Sequence, residues 1–211
     1  MYESERRSRN YYEGRARWYD WANRIAALLR GESATNERRK AVRRLNLKPG
    51  CQVLEVSVGT GTNLPLLEEQ VGPGGRLVGL DISAAMLRRC RQKLRRQGLS
   101  ADLTEGEAAH LPFTDQAFDA VFHHGGIAEF GDKRGAIEEM ILVAGSGARV
   151  VICDPGLPTD GKLSLASRLL LKLQPIYSQP PPVDLIPRTA RDVRVSWFHG
   201  GAWYMIEFEK S

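Results

Sequence analysis

The chain has 211 residues, 42% hydrophobic and 26% charged, with a net charge of +5, the proportions of one globular domain with a core large enough to fold alone. No run of 18 apolar residues occurs, which argues against a membrane-spanning helix, and the arginine-rich N-terminus lacks an apolar signal core, so a cytoplasmic location is expected. Cys51, Cys90 and Cys153 are isolated, with no CxxC pair; they argue against a disulfide framework and a zinc site, no metal is expected, and they read as small core residues.

Residues 1–50 hold thirteen Lys and Arg against six Asp and Glu, +7, leaving −2 for the other 161 residues. Such a basic segment attracts an anionic substrate or a membrane surface, or is simply a solvated helix face; a peripheral membrane contact is compatible with it. Residues 8–30 have the spacing of an amphipathic helix, with Tyr12, Ala16, Tyr19, Ala26 and Leu29 recurring and Gly31 ending the run. A second helix is expected from Thr35 to Leu45, closed by Lys48-Pro49-Gly50. Then Val53 to Asn63, VLEVSVGTGTN, reads as a buried parallel strand breaking into a glycine turn. A helix over Asn63–Gln70 follows, and RLVGLD, residues 76–81, is a second apolar strand ending in an acid.

Ser83 is placed to N-cap the next helix, whose inner face is Leu87, Cys90 and Leu94. Its outer face holds Arg88, Arg89, Arg91, Lys93, Arg95 and Arg96, an exposed crossover-helix surface with no interleaved aromatics, so no nucleic acid is expected. Residues 101–105 form a third strand and Phe118–Phe122 a fourth, leading into His123-His124-Gly125-Gly126. Arg134–Val143 is a helix, and Ala148–Cys153 a fifth strand ending at Asp154-Pro155-Gly156. The repeat of strand and helix from 51 to 155 implies a doubly wound, mostly parallel α/β sheet. Beyond it come an apolar helix over Leu163–Leu173, an irregular proline-rich stretch around Pro180-Pro181-Pro182, and an antiparallel hairpin of Val193–Phe198 with Trp203–Phe208 across Gly200-Gly201.

Ligands of such sheets sit beyond the carboxyl ends of the strands, and the acids and glycines fall there. Asp81 lies 22 residues after Gly59, one helix and one strand away, which suits a contact to ribose hydroxyls. Leu64-Pro65 stands where a dinucleotide fingerprint needs its third glycine, and no GxxxxGK[ST] is present, so NAD and nucleoside triphosphates fit poorly. Glu55, inside the first strand, would repel a phosphate but suits an ammonium group. S-adenosylmethionine (SAM) offers an ammonium, a ribose and an adenine, and is the cofactor favoured.

VLEVSVGTGTN, VGPGGRLVGLDISAAML and EGEAAHLPFTDQAFDAVF together resemble the class I SAM-dependent methyltransferases, nearest the ubiquinone/menaquinone-biosynthesis C-methyltransferase group and its small-molecule relatives. The matching region covers roughly 47–155. The resemblance implies one Rossmann-like domain: a helical lid over 1–46, the SAM-binding core over 47–155, and a shortened substrate-side segment with the hairpin over 156–211. It implies that Glu55 lies near the methionine end of SAM, which Gly59-Thr60-Gly61 wrap, with Ser57 and Asn63 in the same site. Asp81 would hold both ribose hydroxyls, Ile82 and Met86 would flank adenine, and Glu107 and Ala108 would border its edge. His123 and His124 would face the reacting methyl, and Tyr19, in the lid, would reach the SAM carboxylate. Ser57 replaces a frequent glycine, and the loop before the fifth strand reads Val143-Ala144-Gly145-Ser146-Gly147 rather than LKPGG. The helix that the family places between its fifth and sixth strands, closed by an E-x-G-F-like turn, is not visible; Pro180 to Arg188 occupies that place.

The expected reaction is methyl transfer to a small-molecule, lipophilic acceptor, with a phospholipid N-methyltransferase or a catalytically silent SAM-binding protein as alternatives; a Rossmann-type oxidoreductase fits less well. His123 and His124 are the candidate general bases, although a histidine at a strand end serves as readily as a backbone-bonded structural group. Adjacent strand residues point to opposite faces, so only one of the two is expected to face the site. Glu129 and Asp154 are the further candidates.

Overall fold

The computed structural model describes residues 34–158, 179–198 and 201–211. The helix expected over 8–30, Tyr19 and the apolar stretch Leu163–Leu173 lie outside the described residues, as does Gly200 of the hairpin turn.

The first described helix, α1 (Ala34–Arg43), buries Ala41 and Val42 and is followed by buried Leu45. After Pro49-Gly50 comes β1 (Gln52–Val56), buried beyond its first residue. Pro65 falls in the first turn of α2 (Leu64–Val71), where no backbone N–H is missed. Strand β2 (Arg76–Asp81) leads into α3 (Ala84–Gln97), whose N-cap Ser83 accepts from the Met86 N–H and whose end is Gly98 in the left-handed conformation. The short β3 (Asp102–Glu105), β4 (Phe118–His124), a 3-10 turn (Ile127–Glu129) and α4 (Lys133–Val143) follow. The chain then forms β5 (Ala144–Pro155), a 3-10 turn (Val183–Leu185), β6 (Arg191–Phe198) and β7 (Trp203–Glu209).

The seven strands form one sheet in the order β3-β2-β1-β4-β5-β7-β6. Strands β1 to β5 pair in parallel, and β7 is antiparallel to both β5 and β6. The doubly wound sheet and its C-terminal hairpin are therefore as the periodicity implies. The chain steps outward from β1 through β2 to β3, then returns to the other side of β1 with β4. A crevice opens at that reversal, beyond the strand ends.

Alternation along the strands sends side chains into two cores. One face of the sheet packs Val53, Ala120, Phe122 and Val151 against Val42, Leu67, Leu87 and Cys90 of the first three helices. The other packs Leu54, Val121, Val150 and Ile152 against Ile137 and Met140 of α4. Leu185 and Ile186, in the proline-rich stretch, pack on this second core.

Two strands are longer than the sequence reading has them, and one cysteine is less buried. β4 continues two residues past Phe122, so His123 and His124 are paired strand residues opposite Ile152 and Cys153. β5 begins at Ala144, because Ala144 pairs with Phe118 and the ladder resumes at Ala120–Arg149 after an irregularity. Gly145 to Gly147 lie in that irregularity, where Gly147 donates to the Lys210 carbonyl beyond β7 rather than pairing with β4. Cys51 is only half-buried, whereas Cys90 and Cys153 are core residues. Among the described residues no helix is long and apolar enough to cross a membrane.

Candidate active site

The site is built outward from the exit of β1. Ser57 takes φ +60°, a left-handed conformation that costs a residue bearing a Cβ on the order of 1 kcal/mol, and it opens the crevice wall. Gly59 and Gly61 follow with φ +55° and +73°. Their reasons differ. A Cβ on Gly61 would lie 2.5 Å from Cys90 Sγ, so this glycine lets the turn pack on α3. A Cβ on Gly59 would meet nothing within 4 Å, so the free space there faces the crevice.

Asp81, at the end of β2, is held from both sides. Oδ2 accepts from the Gly59 N–H at 2.8 Å and Oδ1 from the Ser83 N–H at 2.9 Å. Each carboxylate oxygen keeps capacity for a further donor, which is what a vicinal diol supplies. After β3, Glu107 borders the same crevice, and its Oε1 is buried without a partner. Ile82, Met86, Ala108 and Ala109 add an apolar slot. The whole cleft encloses about 710 Å³, part of it open to solvent, within the range of small-molecule sites. It brings together Ser57, Gly59, Asp81, Ile82, Met86, Glu107 and Ala108 of the expected residues. The opposite wall, which sequence reasoning did not assemble, is the turn after β4: Gly125, Gly126, Glu129, Phe130 and Asp132.

That turn is fixed from β5. Asp154 is fully buried, and its two oxygens accept from the Gly126 N–H at 2.7 Å and the Ala128 N–H at 2.8 Å. Burial pushes its carboxyl up to about 7, against the two backbone bonds. Asp154 thus caps the turn after β4 rather than its own Pro155-Gly156. Nothing local in the sequence marks this bond, which spans 28 residues.

Glu55, Thr60, Gly61, Asn63, His123 and His124 do not line this cleft. Glu55 is 1% exposed; its Oε1 accepts from Asn63 Nδ2 at 2.5 Å, and its Oε2 is buried without a partner. Burial, opposed by the Asn63 bond and the Arg38 charge, pushes the carboxyl up to about 8. Arg38 Nη1 donates to Asn63 Oδ1 at 2.8 Å and stands 3.4 Å from His124 Nδ1. The His124 ring lies 5.1 Å from that of Trp203. Arg38 and Trp203 are therefore part of the site's support, and neither stood out from its neighbours in the sequence. Thr60 and Asn63 are buried.

The two histidines part by strand alternation. His124 shares the face of Phe122 and meets α1. His123 shares the face of Val121 and points into the α4 core, where it is fully buried. Its Nδ1 lies 3.0 Å from the Val56 carbonyl oxygen, the geometry of an Nδ1–H donor. Its ring meets the Phe130 edge at 5.4 Å, and its Nε2 has no partner. Burial pulls its pKa down to about 4, against the Val56 bond. His123 is a neutral group behind Phe130, not part of the cleft wall. Tyr19 lies outside the described residues.

The chemistry of these groups fits SAM. The paired acceptors at Asp81 and the unpaired Glu107 Oε1 suit a ribose diol, the apolar slot suits adenine, and the unpaired Glu55 Oε2 is an acceptor beside the exit of β1. Among the described residues, no Lys or Arg lines the cleft to meet a phosphate.

Residues 47–178 match the family described as methyltransferase domain. The demethylmenaquinone methyltransferase of Lactobacillus johnsonii is 32% identical over 163 residues, 76% of this chain and 66% of that protein. The demethylmenaquinone methyltransferase of Thermus thermophilus is 34% identical over 151 residues, 72% of this chain and 67% of its own length. The chain thus spans about two thirds of the length of these relatives. A solved SAM-dependent methyltransferase from Aquifex aeolicus shares the fold, with a TM-score of 0.60 at 23% identity, over 82% of this chain and 89% of that one. Matched over more than half its length, and carrying a cleft whose acids suit a ribose and whose apolar slot suits an adenine, the chain belongs to the methyltransferase domain family, in the class that uses SAM.

Proposed function

We propose that the chain transfers a methyl group to a small lipophilic acceptor of the hydroquinone kind. The reading is carried by the similarity to demethylmenaquinone methyltransferases over three quarters of the chain, joined to a cleft with a ribose-binding acid and an apolar slot. SAM, when bound, supplies an electrophilic methyl on its sulfonium, so the protein positions and dehydrates rather than activating the methyl. Asp81 and Glu107 accept from the ribose hydroxyls; Ile82, Met86 and Ala108 flank the base; and Ser57, Gly59, Thr60 and Gly61 shape the amino-acid end. Glu55, held by Asn63, is neutral in its buried state and takes charge only when an ammonium group arrives beside Oε2.

A hydroquinone acceptor gives up a proton on methylation. With His123 sealed in the α4 core, Glu129 is the carboxylate of the post-β4 wall placed to take it, because it borders the cleft on the turn that Asp154 holds. His124, on the other face of β4, orients Arg38 and Asn63 instead of meeting the acceptor. The protein works in the cytoplasm on an acceptor drawn from the membrane.

Calorimetry with S-adenosylhomocysteine (SAH) and NADH tests the cofactor; binding of NADH without SAH would overturn the reading. Labelled SAM offered with hydroquinones, phenols, amines and phosphatidylethanolamine tests the acceptor. Turnover confined to the hydroquinone and phenol arms is expected, and turnover of phosphatidylethanolamine alone would replace the acceptor with a phospholipid amine. Binding of SAH without turnover of any acceptor would leave a SAM-binding protein.

A further inference from the structure

α3 carries six basic residues and no acidic one in fourteen positions. Its inner side is committed to the core through Met86, Leu87, Cys90 and Leu94. On its outer side Arg88, Arg91, Arg95 and Arg96, with Gln92, line one shallow surface recess. At 1.5 Å per residue the row from Arg88 to Arg96 runs about 12 Å.

Within the fold this row is a cost. Like charges three or four apart repel, as in Arg88/Arg91, Arg89/Lys93, Arg91/Arg95 and Lys93/Arg96. The helix dipole offsets this only in the last turn, at Arg95 and Arg96. Several arginines elsewhere are matched: Arg39 with Glu69, Arg76 with Asp102, Arg134 with Glu138, and both Arg44 and Arg149 with Glu207. On α3, Arg89, Arg95 and Arg96 have no acidic partner among the described residues, and Arg91 donates to a backbone carbonyl, that of Leu103 at 3.3 Å. For Arg89, Arg95 and Arg96 the repulsion has no return among the described residues, which points to an anion outside the fold.

We propose that this face docks the protein on an anionic lipid surface. A row of arginines along one exposed helix face matches a surface of phosphates, to which a guanidinium can donate in pairs. The face offers no aromatic ring on which nucleic-acid bases could stack, so it does not suit a single strand. It offers no apolar side chain either, so the contact is superficial, reversible and salt-sensitive. Met86, two residues before Arg88 on the inner side of the same helix, borders the cofactor cleft, so the docking face and the cleft share α3. The purpose of such docking rests on the lipophilic acceptor proposed above; the contact itself does not.

Co-sedimentation of the full chain with vesicles tests it, since vesicles contain no methyl acceptor and a negative result would leave the methyl-transfer reading standing. Binding is expected to vesicles containing phosphatidylglycerol and not to phosphatidylcholine alone, and to fall steeply as salt rises. The triple variant R91Q/R95Q/R96Q should partition roughly a hundredfold less, about fivefold per arginine, with unchanged SAH affinity and melting temperature. Equal binding to both vesicle types would overturn the proposal. So would an unchanged triple variant, which would assign the contact to the basic N-terminal segment, and so would displacement of the protein from vesicles by RNA at equal phosphate concentration.

Discussion

The two walls of the cleft are made in different ways. The wall from β1 to β3 comes from residues close in sequence: a glycine turn, an acid one helix and one strand later, and a second acid after the third strand. Each is anchored to its own neighbourhood, as when Asp81 accepts from Gly59 and Ser83. The wall beyond β4 is assembled from a distance. Asp154, from β5, reaches back 28 residues to Gly126 and 26 to Ala128, and so sets the turn that carries Glu129 and Phe130. A local wall leaves a signature in a short stretch of chain, whereas a distant one leaves single residues that look ordinary until the sheet aligns them.

Substitutions separate the two walls. Asp154→Ala strips two half-buried backbone donors of their acceptor and should cost about 2–6 kcal/mol of stability, at about 1–3 kcal/mol each. Denaturant unfolding measures the loss, and SAH affinity should fall with it because the turn is released. A stability loss with unchanged affinity would show that the far wall does not touch the ligand. Gly61→Ala forces a Cβ to 2.5 Å from Cys90 Sγ at a left-handed φ, and should lower stability by about 2–4 kcal/mol in the same assay. If Cys90→Ala restores it, the glycine is there for packing and not for the ligand.

Asp81→Ala leaves the Gly59 and Ser83 N–H groups without their acceptor, so it should cost stability as well as weaken SAH by about 1–3 kcal/mol in calorimetry, the loss of one charged acceptor. Unchanged affinity would remove the ribose assignment and with it the meaning of the local wall.

Glu55 lies between the walls and gives a pH signature. Its carboxyl is raised to about 8 in the fold, so the folded state holds a proton that the unfolded state releases from about pH 4.5 upward, and stability falls as pH rises toward 8. His123 works the other way: lowered to about 4, it makes stability rise with pH up to about 6.5. Above that only the acids act, and Asp154 is spent near 7. Unfolding free energies of the ligand-free protein between pH 6.5 and 8 should therefore show a loss of about 2 kcal/mol, most of which Glu55→Gln removes, Asp154 supplying the remainder below about pH 7. Saturating SAH should also flatten it if the cofactor's ammonium pairs with Glu55; an undiminished slope with SAH bound would place the ammonium elsewhere. Ser57→Gly has the smallest effect, a gain of about 0.5–1 kcal/mol from relieving φ +60°. A simultaneous loss of SAH affinity would show that the hydroxyl is used in binding.

Much of the architecture is legible in the chain, because two periods govern it. Alternating or continuous apolar runs gave β1, β2 and β4, Ser83 and Gly98 bracket α3, and the order of strand and helix implies the parallel sheet. The ends of β4 and β5 were not legible: His123 and His124 are held as strand by pairing with Ile152 and Cys153, and β5 begins at Ala144 only through its pairing with Phe118. His123 shows why a residue type in the right place is not enough. It sits at the carboxyl end of β4, yet alternation aims it into the α4 core, and burial keeps it neutral.

The sequence by itself determined the local wall, since a tight left-handed turn demands glycine and a ribose demands a carboxylate one crossover away. Only the tertiary structure decided the far wall, the pairing of Glu55 with Asn63 and Arg38, and which histidine faces which core. Those depend on contacts between residues far apart in the chain, and nothing in a linear pattern records their distance. The same holds for α3: its arginines are countable in the sequence, but that Arg89, Arg95 and Arg96 find no acid is visible only once the surrounding surface has formed.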